Sequence, residues 1–69
     1  MKINVLKVQI LMGEKRMTIK RLAELSGVSR QTISCIISGK GCTPQVAHKL
    51  AVALDQELEE IVRKDDVYA

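Results

Sequence analysis

The chain has 69 residues, 46% hydrophobic and 28% charged, with a net charge of +3 and two cysteines. A chain of this size buries only about 60% of its unfolded surface, so one domain with a modest core is expected over residues 1–69; with Phe and Trp absent, that core is aliphatic. No secretory or transit signal is visible, and no apolar run nears the roughly 20 residues of a membrane span, so a soluble, cytoplasmic protein without a membrane partner is expected.

Residues 1–17 carry β-branches at Ile3, Val5, Val8 and Ile10, which would suit a strand. Val8 and Leu11 lie three apart and Leu6 and Ile10 four apart, which is helical spacing, so a helix is expected from about Asn4 to Lys15. Gly13 weakens it by roughly 1 kcal/mol relative to Ala. Met17 stands just before Thr18, as a staple or core plug. Thr18 is placed to cap a second helix, in which Leu22 and Leu25 lie three apart beside the small Ala23. Gly27 stops that helix, because glycine enters the left-handed conformation without a Cβ penalty. Val28 is a single apolar residue in the turn, and Ser29 caps a third helix with Ile33, Ile36 and Ile37 on one face and Gly39 at its end. Thr43 and Pro44 then form a start signal for a fourth helix reaching about Leu54, with Val46, Ala47, Leu50, Ala51 and Leu54 aligned. After Asp55 and Gln56, a fifth helix is expected from Glu57 to about Lys64, its acids first and its bases last as the helix dipole favours. Residues 65–69 read as a frayed tail.

The stretch Thr18–Lys40 carries a family pattern: Thr18, Leu22-Ala23, Gly27-Val28-Ser29, Thr32-Ile33-Ser34 and Gly39-Lys40. It resembles the helix-turn-helix of the Cro/repressor family of bacterial and phage DNA-binding proteins. The resemblance implies an all-α, compact five-helix, lambda-repressor-like domain with the helix-turn-helix at helices 2 and 3. It also implies a sequence-specific transcriptional regulator, in the first place a repressor of phage or mobile-element type. Two departures stand out. Where the family often has Gly, this chain has Arg16, which would then need positive φ. Where the family often pairs an Arg with a Glu, it has Met12 and Ile37, so both ends of the pair are apolar and no charge is left without a partner.

A major groove admits an α-helix and presents distinguishable base edges. Carried onto this chain, the family's third helix offers Arg30, Gln31, Ser34 and Cys35 to the bases. Arg30 suits guanine, Gln31 suits adenine, and Cys35 suits van der Waals contact with a thymine methyl; a phosphate contact by Arg30 stays open. Phosphates are expected at the start of the second helix, at Thr18 and Ile19, where Ile19 replaces the family's Gln and leaves only backbone donors. Ser29 and Thr32, and Lys40, Gly41 and Thr43 after the third helix, complete that set. Lys20 is as well read as a solvated charge. A small module makes few base contacts alone, so a homodimer is expected, weak in solution and completed on DNA, through Leu54, Gln56, Leu58 and Ile61.

Residues 1–41 carry a net +6 and residues 42–69 a net −3, which points a polyanion at one end of the molecule. Cys35, Cys42 and the lone His48 lack zinc spacing, so no metal or cofactor is expected and the cysteines read as reduced thiols. Nothing assembles a catalytic constellation, so the chain is read as no enzyme; no small-molecule ligand is expected either. The competing class is a protein-interaction module, such as an antitoxin, antirepressor or docking domain, without DNA readout of its own.

Overall fold

The computed structural model describes residues 1–63, and the architecture is all-α. The elements are α1 (Val5–Glu14), α2 (Ile19–Ser26), α3 (Arg30–Ile37), α4 (Pro44–Ala53) and α5 (Leu58–Ile61). Four starts are set by a side chain accepting a bond from the backbone N–H three residues on: Asn4 from Lys7, Thr18 from Arg21, Ser29 from Thr32, and Thr43 from Val46. Three ends share one geometry. After α1, α3 and α4 the chain turns through Arg16 (φ 52°), Gly39 (φ 108°) and Asp55 (φ 58°). In each case two backbone bonds close the turn, such as Arg16 N–H to Gly13 O and Met17 N–H to Met12 O. Arg16 therefore has the positive φ that replacing a glycine there required.

α4 is the central element, packed against α2 and α5, with α3 on α2 and α1 on α5. Leu22, Ile33, Leu50, Leu54 and Ile61, from four helices and the end of α4, are the largest fully buried side chains. Met12 is buried and Ile37 half-buried against the same core, so the two positions that lack the family's ion pair both feed apolar packing.

One expectation, the end of α5, is corrected, and α1 gains detail. α1 starts where expected, at Val5 behind the Asn4 cap, and the residues before it are paired: Ile3 pairs with Val62 in an isolated antiparallel bridge, and Asn4 N–H donates to Ile61 O at 2.7 Å. α5 ends at Ile61 instead of near Lys64, because Val62 is extended (φ −92°, ψ 143°) to make that bridge; Lys64 and the tail 65–69 lie outside the described residues. The inward face of α1 is Val8, Leu11 and Met12, whereas Leu6 and Ile10, whose spacing argued for a helix, are 68% and 52% exposed. The helix exists, but that pair points outward. Leu25 is likewise 47% exposed at the end of α2.

Candidate nucleic-acid interface

The turn between α2 and α3 is Gly27-Val28-Ser29. Gly27 is left-handed (φ 74°), and its N–H closes α2 on Ala23 O. Val28 is buried in the gap, its N–H held by Ser26 Oγ at 3.1 Å. Ser29 Oγ accepts from Thr32 N–H at 3.1 Å and donates to Thr32 Oγ1 at 2.8 Å. The two hydroxyls share one hydrogen bond, so one hydroxyl proton of the pair is left for an outside acceptor. Of the two expected phosphate contacts, Ser29 is exposed and Thr32 half-buried.

α3 is eight residues, and the diameter of any α-helix with its side chains, about 10–12 Å, suits the roughly 12 Å width of a major groove. Ile33 and Ile36 anchor it with 1% and 3% exposure. Arg30, Gln31 and Ser34 are exposed and Cys35 is half-buried. Gln31 and Cys35 stand one turn apart, as do Ser34 and Ser38, so they form two neighbouring rows on the side away from the core. Ser38 belongs to the outer row and was not among the expected residues; its hydroxyl donates to Cys35 O at 2.7 Å, so it reinforces the end of the helix.

The two expected phosphate regions are also at the surface. Thr18 is exposed and uses one lone pair on Arg21 N–H, leaving its O–H to donate elsewhere. Ile19 is half-buried, its side chain against the core, so that position offers only its backbone. Lys20 is exposed, and Arg21 lies 3.7 Å from Glu24. In the α3–α4 loop, Lys40, Gly41 and Thr43 are exposed, and Thr43 Oγ1 accepts from Val46 N–H at 3.2 Å with its O–H still available.

Gly41 has a second role. A Cβ on it would meet the Met1 carbonyl oxygen at 3.2 Å, and Cys42 N–H donates to that same oxygen at 2.8 Å. Lys2 Nζ donates to Gly39 O at 2.9 Å. Residues 1 and 2 thus border the loop, a contact across 37 residues of sequence that no local signal announces. Cys42 is half-buried, and burial pushes its thiol above the usual range despite the nearby Met1 ammonium. It is protonated at neutral pH, and both cysteines are free. Among the described residues no His, Cys, Asp and Glu cluster could hold a metal ion, and no helix is long and apolar enough to cross a membrane.

The expected dimer positions divide. Leu54 and Ile61 are 0% exposed and belong to the core, so neither offers surface to a second chain. Their apolar character serves the packing of α4 on α5. Gln56 and Leu58 are half-buried and retain some surface. Val52, 64% exposed, stands beside Asp55, Gln56, Glu57 and Glu60 at a shallow surface depression.

With five helices and this turn geometry in place, the comparisons with known proteins agree. The chain belongs to the Cro/C1-type helix-turn-helix DNA-binding domain family, whose model matches residues 7–65. It is similar to the sucrose operon repressor of Klebsiella pneumoniae, 42% identical over 53 residues. That match covers 70% of this chain but only 16% of the repressor. No solved structure matches. The family's domains bind DNA and are not enzymes.

Proposed function

We propose that this chain is the sequence-reading unit of a transcriptional repressor, with α3 in the major groove and the loops at either side of the helix-turn-helix on phosphates. The observation that carries the reading is the two-sidedness of α3. Ile33 and Ile36 fix it to the core, while Arg30, Gln31 and Ser34 stand exposed on its first two turns. Arg and Gln are the side chains that make bidentate contacts to guanine and adenine. Repression, in place of activation, is supported by the repressor to which the chain is similar; a phage or mobile-element origin rests on the resemblance alone.

The chain binds as a pair on two half-sites about one helical turn, roughly 34–36 Å, apart. Its contact surface is the neighbourhood of Gln56, Leu58 and Val52. Asp55 and Glu57 line the same depression as Val52 and Gln56, and Glu57 and Glu59 stand beside Leu58, so like charge makes pairing weak in solution and DNA completes it.

Selection of bound sites from random duplex DNA, followed by footprinting with stoichiometry, tests both parts. A recurring palindromic site holding two chains is the expected result. Retention on bulk DNA at low salt that falls as salt rises supports the reading, because phosphate contacts are salt-dependent; little retention even at low salt, with no enriched sequence, contradicts it. A short asymmetric site saturated by one chain contradicts the pairing alone.

A further inference from the structure

We infer that the extended segment Met1–Ile3 is a positioning strap, which fastens the α3–α4 loop to the end of α5 and holds Lys40 and Thr43 in place for the phosphate backbone. The inference rests on the DNA reading above. The strap is tied on both sides. Toward the loop, Met1 O accepts from Cys42 N–H at 2.8 Å and Lys2 Nζ donates to Gly39 O at 2.9 Å. Toward the other end of the chain, Lys2 O accepts from Arg63 N–H at 3.0 Å and Asn4 N–H donates to Ile61 O at 2.7 Å. Ile3, 3% exposed, pins the middle into the core beside Val62, 4% exposed. Gly41 is the residue that lets the two backbones lie this close, since a Cβ there would be 3.2 Å from Met1 O.

The loop carries no regular structure between Lys40 and Thr43. Held in place before DNA arrives, such a segment loses less conformational freedom on binding. The strap supplies that restraint from a distance, and it makes the end of α5 part of the DNA-binding apparatus. By reciprocity, DNA on the loop stiffens the bonds to Arg63.

The test unties the strap at its far side. Arg63→Pro removes the N–H that Lys2 O accepts, and Val62 already has the extended backbone favoured before proline. Arg63→Ala keeps the N–H and controls for the side chain. The expected result for Arg63→Pro, and not for Arg63→Ala, is Cys42 amide exchange faster by about tenfold or more together with binding to random duplex DNA weakened several-fold. Faster exchange at unchanged DNA affinity overturns the positioning role, and unchanged exchange overturns the strap itself. If Arg63→Pro does not fold, Ile3→Ala loosens the strap at its middle, away from the expected phosphate contacts, and the same two measurements are made on it. Lys40→Ala separates the two readings. If the protein binds DNA and Lys40→Ala binds as well as wild type, the loop is off the DNA and the strap's role falls with it. A wild type that binds no DNA overturns the broader reading instead.

Discussion

The helix-turn-helix and the junction of residues 1–7 with residues 60–63 are held by different kinds of bond. In the hairpin of α2 and α3, the side-chain bonds span at most three residues: Thr18 to Arg21, Ser26 to Val28, Ser29 to Thr32, Ser38 to Cys35. At the junction, Lys7 pairs with Glu60 across 53 residues at 2.9 Å, Lys2 reaches Gly39 across 37, and backbone bonds join Lys2 to Arg63 and Asn4 to Ile61. The helix-turn-helix is held by local bonds, whereas the junction of residues 1–7 with residues 60–63 forms only when distant segments meet. Stability of the hairpin's helices should follow the caps, and stability of the closure should follow packing and backbone pairing.

The two regions share one core, and removing that core has the largest effect. Leu22→Ala, from the hairpin, and Leu50→Ala, from α4 beneath it, should each cost about 2–5 kcal/mol in urea unfolding, a large part of the roughly 5–15 kcal/mol of a typical domain. A variant that unfolds at the wild-type midpoint would mean that these side chains are not packed as described. Next come the caps. Thr18→Ala and Ser29→Ala should each lose about 1 kcal/mol, with the change in amide exchange confined to the first turns of α2 and α3. A global change of equal size at α1 and α5 would erase the distinction between local and closing bonds. Arg16→Gly should raise the melting temperature by relieving the positive φ of 52°, a gain of about 1 kcal/mol or less once glycine's own entropy is counted; a lower melting temperature would show that the Arg16 side chain supplies more than its backbone costs. The smallest effect is at the closure's ion pair. Lys7 and Glu60 are 39% and 52% exposed, so Lys7→Met should change stability by less than about 1 kcal/mol, and the difference should vanish in high salt.

This contrast also decides what was legible in the sequence. Thr18, Ser29 and Thr43 announced three helix starts within a few residues of each bond they make, and Gly27 and Gly39 marked two stops. Nothing within a few residues of Ile3 announces Val62, so the strand-like β-branches of the first residues could be noted but not given a partner. The same blindness lengthened α5: Glu57 to Lys64 has the charge order of a helix, yet pairing with Ile3 takes Val62 out of it. Apolar spacing gave α1 its helical period without its phase, since both Leu6–Ile10 and Val8–Leu11 repeat helically and only packing chooses between them. Leu54 and Ile61 illustrate the converse: an apolar residue near a helix end suits an interface as well as a core, and the fold takes both into the core. At the site, the outward rank of Arg30, Gln31 and Ser34 followed from placing three isoleucines inside, whereas the approach of Met1 to Gly41 had no sequence signal.

Whether α3 reads bases is tested most directly by comparing three alanine variants on two DNAs, the selected site and a random duplex. Arg30→Ala and Gln31→Ala should weaken binding to the selected site much more than to random DNA, by about 1–3 kcal/mol of lost discrimination for each bidentate contact. Lys40→Ala should weaken both alike, because phosphate contacts carry no sequence information. Equal losses on both DNAs for all three variants would contradict the assignment of α3 as the reading helix.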